Sequence, residues 1–265
     1  MPRPRAQPRP PVPVLVLAAL AIAFFVLPFL GLLWRLPWSS LWDVLGEPSV
    51  RTALWLSIRC SVLATVASLL FGVPLAWVLA RVGFPGRSLA RALCTLSMVL
   101  PPVAAGVALL FSFGRSGLFG QYLEDWFGIR LPFTTWGVVV AQTFVAMPFL
   151  VLSVEASLRQ FDDRFEEAAR TLGASRWYAF RHVTLPAIRP GLVAGAVLAW
   201  ARALGEFGAT ITFAGNYPGT TQTMPTLIYV ARQSDADAAL ALSLIMLLVS
   251  VGVLVALRDR WLVTA

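Results

Sequence analysis

Arg202 and Glu206 stand one helical turn apart inside a long apolar stretch. An unpaired charge there would cost about 2.5–3.5 kcal/mol on insertion scales, so the two are expected to pair with each other. Thr210 and Thr212 follow on the same stretch. Together the four could make weak contact with an anion: a guanidinium to attract it, hydroxyls to donate to it, and a carboxylate that offsets the charge. The same pair reads equally as a purely structural one that fixes the helix. Arg59 is the other charge within an apolar stretch. Covalent chemistry finds few residues. The chain has no Lys, which removes the phosphate-binding Lys of a Walker A loop and Schiff-base chemistry alike. Its single His, His182, lies in a polar insert without a Cys or second His to complete a zinc site, and outside the apolar stretches where a Ser–His pair for intramembrane hydrolysis would stand. Cys60 and Cys94 both fall in apolar stretches and read as packing residues. No catalytic role, metal or cofactor is therefore expected of this chain.

The polar insert, 157–190, carries the second constellation. Phe165, Ala168, Ala169 and Leu172 fall at i, i+3, i+4 and i+7, one face of a short amphipathic helix. Asp163 with Glu166 three residues on is expected to form a capping box, and Gly173 stands where a helix commonly ends in a left-handed residue. Ser175 is expected to cap a second helical piece through Trp177, Tyr178 and Phe180, which stops before Pro186. Two alanines at the centre of the exposed face leave room for a partner surface to come close, with Phe165 and Leu172 as apolar anchors at either end. An amphipathic loop resting on lipid is the competing reading.

Glu167-Ala168-Ala169, three residues, Gly173, nine residues, Val183, one residue, Leu185-Pro186 resembles the signature of the membrane subunits of ABC importers, with Val183 in place of the usual Ile. The resemblance implies that Glu166, Glu167, Ala168, Ala169, Leu172, Gly173, Leu185 and Pro186 form a coupling helix that docks on a separate ATPase subunit. That partner would bind and hydrolyse ATP with Mg. It also implies a second copy of this chain and an extracytoplasmic binding protein, which would dock on the outer loops at 114–133 and 214–236.

These residues must be held by membrane-spanning elements. The chain has 265 residues, 58% hydrophobic and 13% charged. Six apolar runs, near 13–34, 52–80, 90–113, 134–156, 191–213 and 238–257, are long enough to cross about 30 Å of hydrocarbon. All are read as helices, since no alternating barrel pattern occurs, giving an all-α polytopic protein in the bilayer. By resemblance the expected fold is the type I ABC importer permease. The expected organisation is a cytoplasmic Arg/Pro-rich tail at 1–12, a retained first span at 13–34, a transport core at 52–257 and a C-terminal tail at 258–265. Placing both termini in the cytoplasm puts Arg3, Arg5, Arg9, Arg81, Arg87, Arg91, the six Arg from Arg159 to Arg189, Arg258 and Arg260 on the inner side. Arg35, Arg51, Arg115, Arg130 and Arg232 fall outside. The insert then faces the cytoplasm of a bacterial inner membrane. The net charge of +8 is thus a topology signal, and dispersed Arg without a recognition motif argues against nucleic-acid binding. An ion-coupled secondary transporter shares the composition, but has no need of the insert.

Gly191, Gly195, Ala199 and Ala203 repeat every fourth residue, a stripe that permits close helix approach, either to another copy near the dimer axis or within the chain. Pro28, Pro74, Pro101, Pro102 and Pro148 are expected to bend their spans. For the substrate, the run from Arg202-Ala-Leu-Gly-Glu206-Phe-Gly to Ala209-Thr-Ile-Thr-Phe213, then Thr223-Met-Pro-Thr226, with Val99-Leu-Pro-Pro102 and Phe113-Gly-Arg-Ser-Gly117, resembles the molybdate-type permeases over about residues 50–257. It implies molybdate or tungstate. The sulfate and thiosulfate permeases share Ala201-Arg-Ala-Leu-Gly-Glu-Phe-Gly208 and are the alternative.

Overall fold

The computed structural model describes residues 11–261; the tail expected at 1–12 lies outside the described residues except for its last two. The helices α1 (Val12–Trp34), α2 (Leu41–Gly46), α3 (Pro48–Arg81), α4 (Arg87–Val99), α5 (Pro102–Phe113), α6 (Gly120–Phe127) and α7 (Thr135–Gln160) form the first part. The insert holds α8 (Arg164–Thr171), α9 (Arg176–Ala179) and a π-helical segment, Phe180–Thr184. Then come α10 (Leu185–Leu204), α11 (Gly208–Phe213), α12 (Met224–Ser234) and α13 (Ala236–Trp261). The described residues contain no strand. Helix α13 runs to Trp261 through the first residues of the tail expected at 258–265, and the rest of that tail lies outside the described residues.

Among the described residues five segments are long and apolar enough to cross a bilayer: α1, α3, α7, Arg176–Leu204 and the first part of α13. The run expected as one span at 90–113 is divided into α4 and α5. Leu100 and Pro101 are both extended and Pro102 opens the next helix. One proline bends a helix, as Pro74 and Pro148 sit within α3 and α7. Two in succession force the residues ahead of each out of the helical region and end it. The fifth expected span, 191–213, differs at both ends: helix runs back to Arg176 and breaks at Gly205 before α11.

Helix α7 is the centre, packed between α3 and α10. Small residues make this possible. Ser57, Cys60, Ala64, Ser68, Gly72 and Ala76 line one buried face of α3, and a Cβ at Gly72 would lie 3.2 Å from Leu150, Met147 and Val151 of α7. That stripe follows the same fourth-residue rule as the one on α10. Neither stripe hydroxyl is left unpaired in the apolar core: Ser68 donates to Ala64 O of its own helix, and Ser57 Oγ accepts from the Met224 amide at 2.7 Å. On α10, a Cβ at Gly191 would overlap Ser157 and one at Gly195 would sit 2.9 Å from Ser153 Cβ, while Ala199 and Ala203 are fully buried. The α10 stripe is therefore consumed within the chain, against α7, and this face is not free for a second copy. Cys60 is buried in the same core with Cys94 packed against it. Helix α1 buries none of its apolar side chains, so lipid or another chain must cover it.

Candidate functional site

The insert hangs below α7 as a helix, a corner and a second helix. Gly173 adopts φ +93, which a side chain would strain. The amide of Gly173 donates to Arg170 O at 3.0 Å and that of Ala174 to Ala169 O at 3.1 Å, the paired bonds of a Schellman ending. Ser175 Oγ accepts from the Tyr178 amide at 3.2 Å and caps α9, as its sequence predicts.

Two expectations fail here. Asp163 does not cap α8: its carboxylate pairs with Arg81 at the end of α3, and the Arg164 amide turns to Asp162 Oδ1 instead. A charged partner outcompetes a neutral amide for the carboxylate. Glu166 likewise leaves the capping box, its Oε2 accepting from Thr184 Oγ1 at 2.9 Å. Nor does the second helical piece stop before Pro186. The Leu185 amide donates to Phe180 O, five residues back, and this widened turn carries the helix past the proline into α10. Tyr178 stacks on His182 with centroids 4.1 Å apart, and Trp177 on Phe180 at 5.7 Å.

Of the predicted coupling residues, Glu167, Ala168, Leu172, Gly173 and Pro186 are exposed, whereas Glu166, Ala169 and Leu185 are half-buried. Leu172, at 89% exposure, projects furthest, and Phe165 is also open. An apolar tip so bare on a polar elbow is the kind of surface that a partner or lipid covers.

Sequence reasoning missed a second set of contacts at this level. Glu155, buried within α7, receives Arg159 Nη2 at 2.9 Å and Arg91 Nη2 at 2.5 Å. Arg87 Nε donates to Leu79 O at 2.8 Å, and Arg91 Nη2 to the same carbonyl at 3.3 Å. Two arginines of α4 thus cover the carbonyl end of α3, where the helix dipole is negative, and tie it to α7. Glu155 and Arg159 carry a helical spacing that could have been noticed. Arg91 lies 64 residues from its partner, and no local pattern announces it.

Arg202 and Glu206 do pair, Nη1 to Oε2 at 2.6 Å, with Glu206 almost fully buried and Arg202 partly exposed. Glu206 Oε1 also accepts from the Ala209 amide at 2.8 Å, capping α11 and fixing the break at Gly205. Thr210 is buried one turn on, its hydroxyl without a hydrogen-bond partner among the described residues. Thr212 is not part of this group. Its hydroxyl donates to Gly208 O at 2.8 Å, and it faces α5, where a Cβ at Gly106 would lie 2.6 Å from Thr212 Cβ. The break at Pro101–Pro102 meets the break at Gly205–Phe207, since a Cβ at Gly208 would lie 2.7 Å from Pro102 Cβ.

Helices of spanning length, interrupted helices packed on one another and an elbow presented outside the bundle define a polytopic transport-type membrane protein. Residues 72–264 match the family described as binding-protein-dependent transport system inner membrane component, and the chain belongs to it. It is 48% identical over 237 residues to the molybdenum transport system permease protein ModB of Mycobacterium tuberculosis, covering 89% of this chain and 88% of that one. With the protein of the same name from Escherichia coli K12 it shares 42% over 219 residues, 83% and 95% of the two chains. The sulfate transport system permease protein CysT of Salmonella typhimurium is 39% identical over 199 residues, 75% and 72%. Among solved structures, a bacterial ABC transporter that imports alginate superposes with TM-score 0.70 at 19% identity over 95% of each chain. The MetNI methionine ABC transporter gives 0.62 at 18% identity over 80% of this chain and 95% of that one. These two carry the fold alone.

Proposed function

We propose that this chain is the membrane-spanning permease subunit of an ATP-driven importer of molybdate, with tungstate as the close chemical alternative. The observation that carries the reading is identity of 42–48% to molybdenum permeases over at least 83% of this chain and 88% of theirs. In this reading 52–257 is the transport core and 157–190 its coupling insert, facing the cytoplasm with both termini. The chain has no ATPase site of its own and works as a homodimer. Two copies of a separate ATPase, which would use ATP and Mg, receive Glu166, Glu167, Ala168, Ala169, Leu172, Gly173, Leu185 and Pro186. An extracytoplasmic oxyanion-binding protein delivers the substrate to the outer loops.

Arg202, Glu206, Thr210 and Thr212 are the pathway candidates. The neutral Arg202–Glu206 pair and the unpartnered Thr210 hydroxyl favour brief, weak contact with a passing dianion, which suits a pathway better than a storage site. Thr212, engaged with its own helix, is the weakest member. Sulfate is the second reading, supported by the 39% identity to a sulfate permease.

Reconstituting the permease with its ATPase and binding protein tests both. ATP-dependent molybdate uptake is expected, lost in Glu167→Arg together with ATPase association. Uptake without any ATPase would overturn the assignment. Titrating the binding protein with molybdate, tungstate and sulfate decides the substrate, and tight sulfate binding with molybdate ignored would reverse the ranking.

A further inference from the structure

Trp55 and Trp77 stand exposed on one face of α3, with Val62, Val66 and Leu70 between them. Their separation of 22 residues corresponds to about 33 Å of helix, close to the roughly 30 Å of a hydrocarbon core. Tryptophans mark membrane–water boundaries, so Trp77 fixes the depth of the boundary on the insert side.

At that depth lies a cavity of about 740 Å³ between α3 and the elbow. Val73, Pro74, Trp77 and Val78 form its membrane wall; Trp177 and Phe180 continue the apolar lining. Arg170 and Arg176 line the elbow side, both exposed and neither in an ion pair among the described residues. Glu166 is the one acidic lining residue, and Thr184 already donates to its Oε2. Apolar surface at acyl-chain depth beneath two free guanidiniums at headgroup depth has the polarity profile of a phospholipid.

We propose that this cavity binds an anionic phospholipid of the leaflet on the insert side. Its phosphate would lie between Arg170 and Arg176, and its chains along Val73, Pro74 and Trp77. A soluble partner could meet the exposed guanidiniums from the elbow side but not the Val73–Pro74 wall, which lies on the membrane side of Trp77. A second copy of the chain could offer the exposed acids of its own elbow, Asp162 and Glu167, at that depth, and this occupant is the one the cross-linking outcome below would reveal. The proposal rests on the cytoplasmic placement of the insert given above, since the cytoplasmic leaflet is the one rich in anionic lipid. A lipid in this cleft would set the spacing between α3 and α8, and with it the position of the docking elbow.

The test uses the permease with its ATPase, assembled in bilayers of phosphatidylcholine with or without phosphatidylglycerol, extracted, and weighed by native mass spectrometry. Phosphatidylglycerol should be retained selectively by the wild type. Arg170→Gln with Arg176→Gln should weaken retention about thirtyfold, since each surface guanidinium contributes roughly one factor of five to six. Val73→Trp, which fills the apolar half without altering charge, should also expel the lipid, and Arg189→Gln, outside the cavity, should not. Equal retention of both lipids by the wild type would overturn the proposal without need of any variant. So would phosphatidylglycerol retention unmoved by both cavity variants, or a cross-link from a cysteine at position 73 to a second copy of the chain. None of these readouts involves a transported substrate, so failure of the transport reading would leave them intact.

Discussion

Thr184 Oγ1 donates to Glu166 Oε2 at 2.9 Å, so the first turn of α8 is fastened to the widened turn from which α10 starts. The bond spans 18 residues and closes the elbow into a single piece. We expect a displacement of α8 to be carried through this bond to α10.

Thr184→Val keeps the shape and deletes the donor. A hydrogen bond to a charged group contributes about 1.5–3 kcal/mol. The expected result is a permease that still binds its ATPase but moves about tenfold less substrate per ATP hydrolysed, read as the ratio of uptake to phosphate release in proteoliposomes. An unchanged ratio would show that the bond does not transmit motion.

Glu155→Ala leaves Arg91 and Arg159 facing a buried site without their anion. Breaking such a cluster costs about 3–5 kcal/mol. The apparent Tm of the solubilised permease should fall by about 6–15 °C at fixed scan rate, and by little for Asp237→Ala, which forms no ion pair among the described residues. Equal small shifts in both would remove the clamp.

Gly195→Leu drives a side chain into Ser153 and Leu150, whereas Gly83→Ala meets nothing within 4 Å. Overpacking of this kind costs about 1–3 kcal/mol or more. Expression and thermal stability should drop for the first and hold for the second. If Gly195→Leu instead leaves the monomer stable and disrupts only dimers, the stripe faces a second copy after all.

Gly173→Val strains a left-handed residue by about 1–2 kcal/mol. The elbow should fray and pull-down of the ATPase should weaken about tenfold, while the fold of the membrane core, followed by circular dichroism, stays the same. ATPase capture at the wild-type level would separate the corner from docking.

Local patterns told most of the site. Apolar length placed four spanning helices within a few residues and found the fifth with its ends displaced, the Gly173 corner and the Ser175 cap stood in the spacing, and Arg202 found Glu206 at one turn. What sequence did not disclose were choices between competing partners. Asp163 and Glu166 had a good local option as caps, and a distant charge and a distant hydroxyl outbid it. Pro186 ends an ordinary helix, but five-residue hydrogen bonding absorbs it without a break. The α3 stripe of Ser57, Cys60, Ala64, Ser68, Gly72 and Ala76 was legible by the rule that revealed Gly191 and Gly195, yet mixed Ser, Cys and Gly read less readily as one surface than Gly and Ala do.

Because helix persists from Arg176 to Leu204, the elbow and the membrane segment are one rod of 29 residues. It is held along its Ile188–Ala203 half, where side chains pack into the core shared with α3 and α7, and projects for about 18 Å from Arg176 to Ile188 at 1.5 Å per residue. A beam clamped along one half and projecting along the other is a cantilever: a sideways load on the projecting tip becomes a torque at the clamp, where α7 must yield or tilt with it.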